Sequence, residues 1–567
     1  MAIRCFLSRL TLVLAAALLL LAAQERAGPA FAAEFTVTWG ATDAVDTNPG
    51  DGVCDDGAGN CPLRAAIMEA NALPGHDTID QAGINAVLSI PGAGEDASAT
   101  GDLDVTDDLT IDGGAAGFII RGMNSDRVLH VIGSDTELTL EVGDIQSGNA
   151  GAEDGGGILS EGPLVLKGTV VEHNAATRGG GIAALSDLTI ANIANQVLSA
   201  NSAIENNTAS GNGGGIYVAG TLTTDGVSIT GNSAAGTADG GGIYNDGGSV
   251  VLSDSTISEN SAGSGGGGGV YNAAGTLELS LSSVSANEAV DGAGVYNAAG
   301  ATVTSRWSSI DGNTIAMDLF SGGGVFNEGT AEITDSTISG NRNGIGAGIY
   351  NIGSISLTNV TISGNVANDI GGGLNNQGDA TLTNVTMSSN NATDGSVIWS
   401  DGSATVVNSI LEAFPPDDIR PCQGITSLGH NISNRLACSL AGPGDILLDR
   451  GQLLLGPLAD NEWVTQTHAL LAGSPAIDAA DDAVCPATDQ RLVARPQDGD
   501  GDGESRCDIG AYELRAPSPT PTPTPAQLPE TGGTPASSGG GPWLALLVAG
   551  VALVGAGGAL AAARRRR

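Results

Sequence analysis

Alternating aspartates near the end of the chain have the spacing of a metal site. The stretch DGDGDG places Asp498, Asp500 and Asp502 at every second position. Carboxylates with this spacing form the first half of a calcium loop. Ile509 stands where an EF-hand needs a bidentate glutamate, which excludes an EF-hand, whereas Asp508 could close a looser site. Two interpretations stay open: a calcium site made by these four aspartates, with calcium as the one candidate cofactor, or a solvated acidic turn.

A second chemical signal lies in the last 40 residues, at 528–567. The motif LPETG is followed by a Gly-rich spacer, 21 uncharged residues from Trp543 to Ala563, and four terminal arginines. Such an apolar run is long enough to cross a bilayer core of ~30 Å, and the arginines favour the cytoplasmic side. The residues alone therefore predict a C-terminal transmembrane anchor.

The same arrangement resembles the sorting signal of surface proteins that sortase cuts and joins to the cell envelope. The resemblance implies cleavage between Thr531 and Gly532, with Leu528 and Pro529 as recognition residues and Glu530 as the remaining residue of the signal. An anchor that is never cut is the alternative. The Pro/Thr-rich stretch at 515–527 is predicted to be an extended polyproline linker.

The N-terminus has the features of a signal peptide covering residues 1–33: two arginines, an apolar run and small residues before a cleavage site. Cys5 is removed with it, and the remaining six cysteines are neighbours in sequence. Three local disulfides are the simplest pairing, although other pairings stay open. These pairs are Cys54 with Cys61, Cys422 with Cys438, and Cys485 with Cys507.

Composition restricts both the core and the partners. The 567 residues include 87 glycines and only 3% aromatic residues, so a thick apolar core is excluded. A formal charge of −42 would repel nucleic acid along most of the surface. We therefore predict no nucleic-acid partner.

A repeat occupies the middle of the chain, with asparagines recurring every 24 to 33 residues. An aliphatic residue or Met stands three positions before each one, and a hydroxyl residue stands one position earlier in most repeats. This inside–outside alternation is typical of short β-strands. The asparagines are Asn174, Asn207, Asn232, Asn260, Asn287, Asn313, Asn341, Asn365 and Asn390.

Glycine clusters in each repeat indicate tight corners between these strands. A period near 27 residues with strands and no helix predicts one coil of a parallel β-helix, right-handed by the general crossover preference. We expect an all-β solenoid over 101–412, with inward aliphatics and asparagines stacked in vertical ladders. Repeats such as GGGIYN resemble those of the polymorphic outer membrane proteins.

Both ends of the solenoid are expected to be capped, because open strand edges aggregate. In the N-terminal cap, residues 34–100, NCPLRAAIMEANALPG predicts a short helix and resembles the CSLREA-type domain of exported repeat proteins, with departures at Pro62 and Ala65. Residues 413–514 resemble the C-terminal domain of the choice-of-anchor group of bacterial surface proteins. These resemblances imply location and architecture without one activity.

No catalytic residues are predicted. Glycoside cleavage needs two carboxylates ~5–9.5 Å apart, yet Asp254 and Asp335 share a column three coils apart, ~14 Å at the spacing of stacked strands. A lyase needs a basic residue beside calcium ligands, and Arg178, Arg306 and Arg342 lie on separate coils. The histidines show no metal-ligand spacing.

The sequence therefore predicts a secreted protein, anchored at the cell surface in the wall or membrane, that serves binding, adhesion or display. Its processing partners would be signal peptidase and sortase, and its ligand a carbohydrate or a host or neighbouring cell surface. Two alternatives remain: a β-helix polysaccharide lyase or glycoside hydrolase with its site in the loops at 191–203 or 314–321, and a passive component of the envelope.

Overall fold

The computed structural model describes residues 32–516 except 41, 93, 194–200, 318–320, 343, 414–419, 435–437, 439 and 450. Nearly all of the signal peptide, the linker from residue 517 onward, and the sorting signal Leu528, Pro529, Glu530, Thr531 and Gly532 lie outside the described residues. None of the helices among the described residues combines the length and hydropathy needed to span a bilayer.

The described chain forms a parallel β-helix built on two long sheets. Sheet 1 holds 24 strands of the described residues and carries two strand positions per coil. Its strands are Glu34–Thr36, Asp77–Asp80, Leu103–Val105, Leu109–Asp112, Leu129–Val131, Leu138–Glu141, Ile158–Ser160, Leu164–Lys167, Ile182–Ala184, Leu188–Ala191, Ile216–Val218, Thr221–Asp225, Ile243–Ser253, Val270–Ser280, Val295–Asn297, Thr302–Arg306, Val325–Asn327, Thr330–Thr334, Ile349–Asn351, Ser354–Thr358, Leu374–Asn376, Asp379–Thr383, Ile398–Val407 and Cys422–Gly429.

Sheet 2 holds 15 strands of the described residues, all paired in parallel. They are Asn85–Val87, Phe118–Arg121, Gly143–Gln146, Val170–Glu172, Ala203–Glu205, Ser228–Thr230, Thr256–Ser258, Ser283–Ser285, Ser309–Asp311, Thr337–Ser339, Thr361–Ser363, Thr386–Ser388, Ile410–Leu411, Ile432–Ser433 and Ile446–Leu447. Smaller sheets join Ala175–Ala176, Thr208–Ala209 and Ser233–Ala234, then Glu288–Ala289 and Thr314–Ile315, and finally the antiparallel pair Leu455–Ala459 and Thr467–Leu470.

The inward aliphatic residues lie in register, as predicted. Ile204 pairs with Ile229 and Ile229 with Ile257, and each side chain is fully buried. Burial of this kind contributes about 25 cal/mol for each Å² of apolar surface. Because every coil adds only a few such side chains, the core is a narrow column that runs along the solenoid.

The predicted asparagine ladder is present and continuous. Asn313, for example, donates from Nδ2 to Asn341 Oδ1 at 3.0 Å and to the Val284 carbonyl at 3.0 Å, while its Oδ1 accepts from the backbone N–H and Nδ2 of Asn287. The same bonds repeat from Asn174 to Asn390. The ladder therefore satisfies buried backbone groups at every corner of sheet 2.

Two further ladders follow the GGGIYN phrase on sheet 1. Buried asparagines bond to each other from Asn245 to Asn376. Beside them, buried and half-buried aromatic rings stack with centroids 4.5–5.7 Å apart and ring planes inclined by 6–28°. The stacked rings are Tyr217, Tyr244, Tyr271, Tyr296, Phe326 and Tyr350.

The parallel pairing extends beyond both boundaries predicted for the repeats. At the front, Glu34–Thr36 pairs with Asp77–Asp80, which pairs with the first repeat strands. At the rear, Cys422–Gly429 pairs with Ile398–Val407 after residue 412. The sequence missed these coils because they lack the glycine corners and the stacking asparagine that mark the central repeats.

The one helix of the described residues, α1 (Leu63–Ala72), packs against the strands Asp77–Asp80 and Leu103–Val105 of the first coils. Its Arg64 is fully buried and pairs with Asp43 at 2.6 Å. The guanidinium also donates to the carbonyls of Ser98, Gly101 and Asp102 at 2.7–3.0 Å. Arg64 thus holds the loop before the first repeat against α1.

All three disulfides form in the simplest pairing that the sequence allows: Cys54–Cys61, Cys422–Cys438 and Cys485–Cys507. Each closes a short loop, of 7, 16 and 22 residues respectively. Closing such loops restricts the unfolded chain, and the restriction grows with the length of the loop.

Candidate functional site

The outward side chains of sheet 2 form a surface rich in hydroxyl groups, which we call the hydroxyl face. Strand alternation creates it, because the central residue of each strand points inward and its two neighbours point outward. The face comprises Ser228, Thr230, Thr256, Ser258, Ser283, Ser285, Ser309, Asp311, Thr337, Ser339, Thr361, Ser363, Thr386 and Ser388.

Residues 455–514, here called the C-terminal segment, fold back along the solenoid and cover half of this face. Thr337 Oγ1 donates to the Gln466 carbonyl at 2.6 Å, and Thr361 Oγ1 bonds to Gln490 Oε1 at 2.7 Å. The backbone N–H of Ala511 donates to the hydroxyl of Thr386 at 2.9 Å. The hydroxyls predicted to face solvent are therefore buried in these coils.

His468 of the C-terminal segment is buried against the same face. Its Nδ1 donates to the Gly456 carbonyl at 2.8 Å, which leaves Nε2 to accept from Ser363 Oγ at 2.9 Å. Burial lowers the pKa of His468 below its ordinary value of 6.5. The imidazole is therefore neutral, and its bonds hold the segment in place.

We expect the C-terminal segment to loosen as the pH falls below 6.5. Unfolded His468 binds a proton near its ordinary pKa, but folded His468 binds one only at lower pH, so the free energy of unfolding decreases through this window. Urea unfolding at pH 7.5 and 5.5 should show a smaller pH dependence for His468→Gln than for the natural chain. The matched control His173→Gln, at an exposed histidine, should keep the full dependence; equal behaviour of both variants would contradict the prediction.

The hydroxyl face is open from Ser228 to Ser309, where the outward residues of the strands are exposed or half-buried. At the edge of the C-terminal segment this open surface leads into a cleft of about 260 Å³, which we call the Asp311 cleft. Asp460 of the segment lines it opposite the solenoid strand of Asp311. Burial raises the pKa of Asp311 above its ordinary value of 3.8.

A second cleft of about 520 Å³ lies on the other side of the segment's antiparallel pair. The polar part of its wall includes Ser363, Ser388 and Glu412 of the solenoid and His468 of the segment, and Leu455–Leu458 of the segment form an apolar part. Glu412 Oε2 accepts from Ser388 Oγ at 2.5 Å. Glu412 is the one carboxylate among the residues that line this cleft, so the lining offers no catalytic pair of carboxylates.

The predicted calcium residues are only partly brought together. Asp498 and Asp500 lie near Asp478, and one oxygen of each falls within 4.8 Å of the others. Asp508 is buried instead, and its carboxylate accepts from the N–H groups of Asp478 at 2.8 Å and Leu514 at 2.5 Å. Burial raises its pKa to about 7.

Asp502 lies outside the same group, and its Oδ1 accepts from the backbone of Glu504 at 2.8 Å. Asp478, twenty residues before the motif, was not foreseen, because a loop closure of that length has no sequence signature. Calcium binding at this turn stays a prediction.

Two of the three arginines considered for a lyase, Arg178 and Arg306, have carboxylate and aromatic partners. Arg178 Nη2 lies 2.5 Å from Asp154 Oδ2 and its guanidinium stacks over the ring of Tyr217. Arg306 lies 3.3 Å from Asp335 and over the ring of Trp307. Both guanidinium groups therefore stabilise the outer surface of sheet 1, rather than standing beside a calcium site.

Sequence reasoning missed the docking of the C-terminal segment. The contacts between Thr361 and Gln490, and between Ser363 and His468, join residues 129 and 105 positions apart. The charged residues of the segment could have indicated this docking, because buried charges need partners. Four of them are buried and form two ion pairs: Asp489 with Arg491, and Arg495 with Glu513.

No family model matches this sequence, and no curated protein is found to match it. Among solved structures, the chain is similar to the crystal structure of the pectate lyase Pel9A, with 14% identity and a TM-score of 0.27. The alignment covers 86% of this chain and 98% of that one. Similarity at this level carries no argument about activity. The chain is a parallel β-solenoid on the evidence of its own strand pairing.

Proposed function

We propose that the protein is exported, anchored at the cell surface, and binds a carbohydrate chain along the open half of the hydroxyl face. The observation that carries the proposal is the continuity of this face, from Ser228 through Ser283 to the Asp311 cleft. Stacked coils repeat every ~4.8 Å, so hydroxyl groups recur at regular intervals along the solenoid. A polymer with repeating hydroxyl groups matches such a row better than a compact ligand does.

Charge favours a neutral chain over a polyanion. The strands of the open face, from Ser228–Thr230 to Ser309–Asp311, contain no lysine or arginine, and the protein carries a formal charge of −42. Acidic glycans would therefore be repelled unless cations screened them. Surface display by the predicted sorting signal would present this face to glycans outside the cell.

Binding can be tested with the mature chain in mild detergent and immobilised glycans, comparing a neutral β-glucan with polygalacturonate. We expect retention of the neutral polymer without cleavage. The variant Thr256→Gln/Ser283→Gln should weaken binding at least about tenfold, because longer side chains obstruct the face. Its matched control, Thr304→Gln/Ser356→Gln, alters outward residues of sheet 1 and should bind normally. Equal binding by both variants, or none by the natural chain, would contradict the proposal.

A glycoside hydrolase is the second candidate, because the Asp311 cleft contains two carboxylates. The raised pKa of Asp311 suits a general acid, and Asp460 on the facing segment suits a base or nucleophile. Release of new reducing ends in the same assay would support this candidate, and Asp311→Asn should then abolish the release while retaining the polymer. Retention of the polymer without new reducing ends supports binding. If the polymer is neither retained nor cleaved, the result supports a passive envelope component.

A further inference from the structure

Asp104 and His130 face each other on neighbouring coils at the front of the solenoid. They are direct partners in the pairing of Leu103–Val105 with Leu129–Val131. A loop folds over this pair, because the N–H of Ser98 donates to Asp104 Oδ2 at 2.8 Å and the Asp104 N–H donates to Ser98 Oγ at 2.6 Å. The same loop carries Asp96 over the two side chains.

Polar atoms of this cluster are buried without a hydrogen bond. Asp104 is fully buried, yet its Oδ1 has no hydrogen-bond partner, and His130 Nδ1 lies 3.5 Å away. His130 Nε2 is also buried without a hydrogen bond, 3.9 Å from Glu161 Oε1. Leaving such groups unpaired is costly, by about 1–3 kcal/mol for each neutral group and more for a charge. The unpaired Asp104 Oδ1, which faces His130 Nδ1 at 3.5 Å, therefore indicates a missing ligand beside it.

The geometry points to a metal site: we propose that Asp96, Asp104 and His130 bind one divalent transition-metal ion. One potential ligand atom from each residue lies within 4.8 Å of the other two. Two carboxylates and an imidazole are a donor set for zinc and its neighbours, whereas calcium takes oxygen ligands only. Three protein ligands leave a fourth position for water.

The surrounding charges favour a cation at this point. Asp102 and Asp126 are also buried nearby, and Arg127 is the basic residue beside them, 3.1 Å from Asp102. A bound divalent cation would offset this excess of negative charge.

Metal binding would connect three parts of the chain. Asp96 belongs to the loop that Arg64 of α1 holds through Ser98, while Asp104 and His130 belong to two successive coils. The ion would therefore fasten the N-terminal cap to the first coils, and the site differs in place and chemistry from the hydroxyl face. If no metal binds at this site, the proposed carbohydrate binding is unaffected.

The test uses the full chain, purified without a histidine tag and stripped with chelator, and titrated with Zn²⁺ by calorimetry. Co²⁺ serves as a second probe, because its visible absorption reports nitrogen and oxygen ligands directly. We expect one tight equivalent of Zn²⁺, a higher Tm with metal, and slower proteolysis of the loop at 94–102. His130→Gln should lower the affinity at least about tenfold and change the Co²⁺ spectrum.

Three further variants keep the test decisive. Asp96→Asn changes an exposed residue and should leave the fold intact while weakening Zn²⁺ binding, which covers the case in which His130→Gln does not fold. His173→Gln alters an exposed histidine elsewhere and should bind like the natural chain. Asp498→Asn distinguishes Zn²⁺ binding at the acidic turn from Zn²⁺ binding at the proposed site, because it changes a carboxylate of the turn alone. Absence of Zn²⁺ binding, or equal binding by Asp96→Asn and His173→Gln, would overturn the proposal.

Discussion

Asn313→Ala is expected to lower the free energy of unfolding by about 2–5 kcal/mol. The change removes both side-chain donors and the acceptor from the middle of the ladder. The backbone N–H of Asn287 then loses its acceptor, and the Val284 carbonyl loses its donor. Both groups stay buried, so each costs about 1–3 kcal/mol, and water cannot reach them without opening the corner. Urea unfolding followed by circular dichroism measures the loss.

A matched substitution on the same coil separates the ladder from general effects of truncation. Thr304 points outward from sheet 1 and is exposed, so Thr304→Ala should stay within about 0.5 kcal/mol of the natural chain. If Asn313→Ala unfolded at the same urea concentration as Thr304→Ala, the ladder would not stabilise the solenoid. An interior position is the proper choice, because Asn174 and Asn390 have fewer partners.

The solenoid could be predicted because each coil obeys one local rule. Ile229 and Asn232 occupy fixed positions in a repeat, so their spacing alone determines that they stack on Ile257 and Asn260. The short disulfide loops were predictable for a similar reason, since Cys54 and Cys61 are close in sequence. Repeats within one chain can be aligned with one another, so their pattern can be recognised without homologous sequences.

The candidate sites were less predictable because they join residues that no repeat relates. Asp104 and His130 meet only after one coil is closed, and neither lies in a motif. Asp460 reaches the Asp311 cleft only after the C-terminal segment turns back over several coils. Its spacing in the sequence predicted that Asp508 belongs with the calcium residues. In the fold its carboxylate instead accepts hydrogen bonds from two backbone N–H groups.

Glu513→Gln is expected to release the C-terminal segment, at a cost of about 3–5 kcal/mol. Glu513 and Arg495 form an ion pair with both side chains fully buried, Oε2 lying 3.1 Å from Nε. The carboxylate also accepts from the N–H of Gln497 at 2.8 Å and of Asp508 at 2.9 Å. The amide of glutamine would remove the carboxylate that pairs with the buried guanidinium and turn an N–H group toward one of these donors.

The loss should appear first as faster proteolysis of residues 455–514, because the segment is held to the solenoid by polar contacts such as that of Thr361 with Gln490. Glu504→Gln is the matched control in the same segment. Its partner Arg506 is 3.5 Å away and both side chains are more than half exposed, so this pair contributes little. Similar proteolysis rates for the two variants would show that the buried pair does not hold the segment. Faster cleavage of Glu513→Gln alone, with the solenoid still folded, would show that the covered hydroxyl face can be exposed separately from the core.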